Sequence, residues 1–344
     1  MRPIYNILVI IVAVILAIYY GNQTTFLRKS RPKNPPGPIM PNGDWRFTAQ
    51  RGYFSHDNDP ASWDFRAKTL PNLGLVEKLY GLGDSDKKLT PDEIARTQWS
   101  RFLDYADFMN TIEPGKKSYK VFYIVRHGQG VHNVKETEVG REEWNRHWAK
   151  LPGDSNSTWL DASLTPTGEQ QAKEIASLWS EAGNIPPPQS IYSSPLRRCL
   201  QTTTFGFAPL LHQTTPIIKE NLRERLGVHT CDQRSSRSWI AESYPNFKIE
   251  ANFTENDELW KADQRETIDE HIVRSQKVLQ DIFENDGSQV VALVGHSGTS
   301  MALFGATGWG KIPMAAGAVY PLLVCGERVG DGDEEDEEGD GGEK

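Results

Sequence analysis

Tyr123-Ile124-Val125-Arg126-His127-Gly128-Gln129-Gly130 carries an uncharged run straight into an Arg-His-Gly turn. The run 121–125 reads as a central strand covered on both faces, because nothing in it is charged. The charged pair after it then lies at the carboxyl edge of a sheet, where open α/β sheets bind ligands. A neutral imidazole is a nucleophile that needs no base, and the guanidinium beside it is a planar fork of donors suited to phosphoryl oxygens. Alone, an Arg-His pair after a strand is more often an ordinary surface turn, so the rest of the chain has to decide.

Three further segments have a similar construction. Ile191-Tyr192-Ser193-Ser194-Pro195-Leu196-Arg197-Arg198-Cys199-Leu200-Gln201-Thr202 goes strand, turn, helix. Leu222-Arg223-Glu224-Arg225-Leu226-Gly227 sets an acid between two bases. Val290-Val291-Ala292-Leu293-Val294-Gly295-His296-Ser297-Gly298 is another buried strand ending in a turn with a histidine.

In this order the four segments resemble the histidine phosphatase superfamily, also called the phosphoglycerate mutase-like fold. The stretch from about Trp45 to Val324, with His229-Thr230-Cys231-Asp232-Gln233-Arg234, is similar to a fungal and plant branch of it. The resemblance implies an α/β fold, a three-layer α/β/α sandwich with long insertions. It implies that His127 is the nucleophile that becomes phosphorylated, and that Arg126, Asn133, Arg198 and His296 form the phosphate pocket. Glu224 then matches the acid that protonates the leaving oxygen, which with His127 and His296 completes the catalytic set. Arg197 fits less well, because the arginine of the family falls two positions after the leucine.

The chemistry agrees with these roles. Phosphoryl transfer spreads charge over three oxygens in a loose transition state, so alignment and charge neutralisation dominate. Two arginines, an amide and a second imidazole supply both without a metal or any other cofactor. The leaving oxygen needs a proton, which a carboxyl group can give and later recover from water. The two bases flanking Glu224 count against that role unless they face away. Each residue also has a plainer reading: Asn133 as a helix cap, Arg198 as an exposed helix charge, Glu224 as half of a structural ion pair. His132 reads as a packing residue or a neighbour of the catalytic group. His229, Cys231 and Arg234 read equally as pocket-shaping residues or as parts of a structural loop.

Two rival chemistries fail. Gly295-His296-Ser297-Gly298-Thr299 looks like the strand-to-helix elbow of a serine hydrolase, but Thr299 replaces its last glycine. No histidine follows His296 to serve that serine. The eight histidines include no H-x-x-x-H pair, and no Cys-x-x-Cys is present, so no metal site is read. Cys199, Cys231 and Cys325 allow at most one disulfide.

The ends carry separate signals. Residues 7–20 have no polar side chain except terminal tyrosines, which predicts a single-pass membrane anchor over 1–21 rather than a cleaved leader. Arg28, Lys29, Arg31 and Lys33 after that span argue for a cytoplasmic domain. The sequons at Asn22, Asn156 and Asn252 argue for a lumenal glycoprotein of the secretory pathway, and the reading leans that way. Residues 22–44 form a Pro-rich linker, 45–329 the phosphatase-like domain and 330–344 an acidic, disordered tail. The tail holds nine acids and one lysine; without it, totals of 38 basic and 46 acidic residues become 37 and 37. The net charge of −8 is therefore the tail's, and a neutral domain offers no basic face for nucleic acid.

Within the domain, helices are expected over 168–179 and 268–283 and a late strand over 318–324. The segments 45–115, 134–161 and 227–259 are expected to be substrate-selecting insertions. The activity expected is that of a metal-independent phosphatase on a small phosphate monoester. A phosphomutase of the same mechanism is the alternative, and a catalytically silent scaffold with this fold a third reading. No basic cluster in the sequence announces a bisphosphate substrate.

Overall fold

Residues 45–78, 80, 96–179 and 184–329 are described in the computed structural model of the chain. Its first element is set by alternation: Trp45, Phe47 and Ala49 are buried and their neighbours are not, which makes Trp45–Gln50 a strand, β1. Helix α1 (Gln98–Asn110) and strand β2 (Lys117–Arg126) follow, then helices α2 (Val131–Val139), α3 (Arg141–Arg146) and α4 (Pro166–Ala176). Strand β3 (Ser190–Ser193), helix α5 (Arg197–Gly206), strand β4 (Ile217–Ile218), helix α6 (Arg237–Ser243) and strand β5 (Lys248–Ile249) come next. Helix α7 (Ile268–Asn285), strand β6 (Val290–Gly295), helix α8 (Ser297–Ala306) and strand β7 (Val319–Arg328) complete the described chain.

The strands form one sheet in the order β1-β7-β2-β6-β3-β4-β5. β2, β6, β3, β4 and β5 run parallel, whereas β7 is antiparallel to both β1 and β2. Because side chains alternate across a strand, Phe122, Ile124, Val291 and Leu293 face one layer with Ile282, Phe283 and Leu303 of α7 and α8. Val121, Tyr123, Ala292 and Val294 face the other, with Trp99 and Phe102 of α1, Ile175 of α4 and Cys199 of α5. The result is the α/β/α sandwich that the sequence predicts, and both faces of β6 are buried along its whole length.

The expected helices form where their caps dictate. Thr165 accepts from Gly168 N at 3.1 Å and Pro166 occupies the first position of α4, which ends at Ala176 and tightens into a 3₁₀ turn through Trp179. Thr267 and Glu270 cap one another at the start of α7. The expected insertion 45–115 proves different: β1 pairs with β7 at the sheet edge and α1 covers a face, so part of it belongs to the core. Its period-two burial is the signal, and it lies over only six residues. Segment 134–161 contains the short helix α3, and 227–259 contains α6 and β5, the edge strand that pairs with β4.

The membrane expectation is corrected. No helix among the described residues is long and apolar enough to cross a membrane. Residues 1–21, on which the anchor was placed, lie outside the described residues, as do the linker 22–44 and the tail 330–344. The single-pass membrane localisation, the membrane partner and the lumenal glycoprotein reading built on them are withdrawn. All three cysteines are buried free thiols.

One backbone contact places the Arg-His-Gly turn. A Cβ added to Gly128 would stand 2.2 Å from Gly168 O, and one added to Gly168 would stand 2.1 Å from Gln129 O. The start of α4 thus packs directly on the turn after β2, and neither position tolerates a side chain. Gly168→Ala is expected to cost about 1–3 kcal/mol by overpacking. A melting curve should show a fall of roughly 2–4 °C for each kcal/mol lost. An unchanged transition would show that the contact is not a constraint.

Candidate active site

The parallel strands bring four turns to one edge. His127 follows β2, His296 follows β6, Ser194 to Arg198 follow β3, and Glu224 lies beyond β4. Between them opens a cavity of about 270 Å³ whose wall includes Arg126, His127, Asn133, Arg198 and Glu224.

His127 is buried, and its Nδ1 lies 2.6 Å from Gly128 O. A carbonyl can only accept, so Nδ1 carries the hydrogen and Nε2 keeps a lone pair. Arg198 Nε donates towards that lone pair at 3.3 Å and towards His296 Nδ1 at 3.2 Å. By the same logic His296 bears its hydrogen on Nε2, which donates to Ser194 Oγ at 2.9 Å. Burial first, then the positive charges of Arg198 and Arg126, hold His127 well below the ordinary imidazole range. His296 is likewise held neutral by burial and by Arg198.

Arg198 is 1 % exposed at the start of α5. Its Nη1 donates to Cys231 O at 2.5 Å and its Nη2 to Asp232 Oδ1 at 2.8 Å. The other oxygen of Asp232 accepts from Arg265 Nη1 at 2.9 Å. Burial alone would push Asp232 up, yet Arg265 and Arg198 hold it well below the usual carboxylate range. Arg126 donates to Met314 O at 2.5 Å, while its Nε is buried without a partner. Burial lowers Arg126 to about 10, against the pull of Glu224.

Asn133 does cap a helix, since its Oδ1 accepts from Gly130 N at 3.0 Å at the start of α2. That leaves its amide hydrogens for the cavity it lines. Glu224 accepts from Arg225 N at 2.9 Å on Oε1 and from Gly298 N at 2.9 Å on Oε2, at the amino end of α8. Of its flanking bases, Arg223 is buried against Glu220 and Asp257, whereas Arg225 lines the same cavity as Glu224 while its Nε donates to Glu266 O at 2.8 Å. A Cβ on Gly298 would lie 1.8 Å from Glu224 Oε1, so only glycine leaves room for the carboxylate.

Of the expected residues, His127, Arg126, Asn133, Arg198 and Glu224 line one cavity, whereas His296 is fully buried behind Arg198 and does not. Arg197 turns outward, its guanidinium 4.4 Å from the Trp239 ring. His132, His229 and Cys231 line the cavity; Arg234 instead pairs with Glu220 away from it. The sequence reading missed Asp232 as the partner of Arg198, and Arg265 and Arg66 as parts of the wall. Asp232 lies inside the motif 229–234, but nothing in the sequence marked Arg66 or Arg265. His229, Cys231 and Asp232 offer donor atoms within 4.8 Å of one another. They suit a cation poorly, because two guanidiniums already hold Asp232 and burial keeps the Cys231 thiol protonated.

Six of the eight histidines are held below their ordinary value near 6.5, His56 and His229 to about 4 and His127, His132, His271 and His296 further. The unfolded chain therefore binds more protons than the folded one below about pH 6.5. Stability is complete above that pH and falls as the pH drops through it, by up to about 1.4 kcal/mol per pH unit for each group. Urea midpoints should decline steeply from pH 7 to pH 5, and a flat profile over that range would contradict the buried neutral histidines.

The model of the histidine phosphatase superfamily (branch 1) matches residues 122–316. A probable phosphoglycerate mutase of Arthroderma benhamiae is 38 % identical over 301 residues, which cover 85 % of this chain and 88 % of that protein. Phosphomutase-like protein 3 of Candida albicans is 38 % identical over 207 residues, covering 60 % of this chain and 65 % of that one. Probable phosphoglycerate mutase PMU1 of Saccharomyces cerevisiae is 35 % identical over 208 residues, covering 53 % and 70 %.

Proposed function

The chain belongs to the histidine phosphatase superfamily, and from that premise we propose that it hydrolyses a phosphate monoester through a phosphohistidine on His127, without a metal. The observation that carries this reading is the tautomer of His127. Its Nδ1 hydrogen is committed to Gly128 O, and a neutral, lone-pair-bearing Nε2 lies in a cavity beside Arg198.

In this mechanism a phosphoryl group seats against Arg126, Arg198 and the amide of Asn133 and replaces the long contact from Arg198 Nε to Nε2. Nε2 attacks phosphorus, the bond from phosphorus to the leaving oxygen breaks, and protonated Glu224 gives that oxygen its hydrogen. Water then attacks the phosphohistidine, Glu224 takes the proton of the water, and phosphate leaves with the Nε2 lone pair restored. Gly298 N and Arg225 N keep the Glu224 carboxyl in place through both halves. His296 acts from behind as a positioning residue, accepting from Arg198 and donating to Ser194.

The full chain should release phosphate from phenyl phosphate with a chelator present, and a denaturing quench at alkaline pH should trap a phosphoprotein that acid then hydrolyses. His127→Ala should remove both, and surviving turnover would reject the nucleophile. Glu224→Gln should slow turnover by about 10²–10⁴-fold while the protein still becomes phosphorylated by an activated ester, which needs no general acid. Because His127 is held well below 6.5, kcat/KM should show no fall near pH 6.5 as the pH is lowered within the range where the protein stays folded. A phosphomutase of the same chemistry is the second reading, favoured by the names of the relatives. Scoring free phosphate against isomerised product for phosphorylated hydroxy acids separates the two.

A further inference from the structure

The wall of the active-site cavity carries more positive charge than a single phosphoryl group requires. Six arginines line it (Arg66, Arg126, Arg141, Arg198, Arg225 and Arg265), against the carboxylates of Glu136, Glu224 and Asp232. This concentration occurs in a chain whose basic and acidic residues balance at 37 each once the tail 330–344 is set aside. Arg198 and Arg265 share Asp232, and Arg141 pairs with Glu136 at 3.0 Å. Arg66, Arg126 and Arg225 have no carboxylate partner among the described residues. A phosphoryl dianion held by Arg126 and Arg198 leaves Arg66 and Arg225 uncompensated, the more so while Glu224 carries the proton it donates.

Arg66 is also set apart by its place in the chain. It precedes the matched region 122–316, on the segment between β1 and α1. It is held from one side, where its Nη1 donates to the carbonyls of Trp63 and Phe65. Trp63 lines the same cavity and is 62 % exposed, and the Arg141 guanidinium lies 5.6 Å from its ring. The positive charge of Arg66 is felt by Arg126, which places the two guanidiniums near one another. A guanidinium fixed by backbone carbonyls, facing a cleft with no carboxylate of its own, is an anion site in wait of a ligand.

We propose that Arg66, together with Arg225, forms a second anion subsite, and that the alcohol released by the enzyme bears its own carboxylate or phosphate. The proposal rests on the phosphatase reading for its substrate but is tested by binding alone. Phenylphosphonates cannot be hydrolysed at phosphorus, so affinity for them is independent of turnover. Titration calorimetry on the full chain would compare phenylphosphonates carrying a carboxylate at the meta or para position with the carboxamides of the same shape. A third arm carries a second phosphonate, which tells a phosphate-bearing from a carboxylate-bearing leaving group.

A charged acceptor meeting a guanidinium should bind on the order of tenfold more tightly than its neutral twin. Arg66→Gln should erase that preference, read as the ratio of charged to neutral affinity within each variant, while Arg66→Lys should keep part of it. Equal affinity for charged and neutral members in the wild type overturns the subsite. So does a preference that survives Arg66→Gln, or one lost equally in Arg66→Lys, since the turn and not the charge would then be responsible. Hydrolysis of phenyl phosphate, measured separately, reports on the phosphatase reading and leaves the subsite result standing either way.

Discussion

A fully buried guanidinium must be neutralised or it unfolds its surroundings, and Arg198 is such a group. Asp232 supplies the negative charge, Arg265 grips the second oxygen of Asp232, and the carbonyls of Arg225 and Gly227 hold Arg265 in turn. Through this chain of contacts the loop of Glu224 is tied to the cavity that His127 lines. Burial first, and then the same charge, keep the neighbouring imidazoles neutral, since protonating His127 or His296 would set two cations in contact away from water. Arg198 therefore concentrates positive charge at the wall of the cavity, between the two imidazoles and Asp232.

The sheet makes this possible by running β2, β6, β3 and β4 in one direction. Four turns remote in sequence then meet at a single edge, each carrying one kind of group. Glycines mark where backbones must nearly touch, Gly128 with Gly168 and Gly298 with Glu224. These contacts aim the side chains more tightly than loop length alone would.

Legibility followed the range of the signal. The strands 121–125 and 290–294 could be read because burial on both faces demands an uncharged run, and α7 because its apolar repeat and Thr267–Glu270 cap agree. β1 was hidden in a segment read as insertion, since six alternating residues are a weak pattern without a partner strand. The resemblance of the motifs indicated Arg126, His127, Asn133, Arg198 and Glu224, and the fold gathers them around one cavity. It places His296 behind that wall, and Arg197 away from it.

By itself the sequence determined the α/β class, the order of the motif-bearing turns and the kind of chemistry that an imidazole, two guanidiniums and a carboxyl group can perform. Those properties reside in residue type and local periodicity. Only the tertiary structure decided which nitrogen of His127 is free, which acid neutralises Arg198, that Arg223 beside Glu224 is spent on other acids, and that arginines from positions 66 to 265 converge on one cleft. Tautomer, pairing and convergence depend on distances between residues far apart in the chain, and a charge count along the sequence averages a basic cleft into a neutral domain.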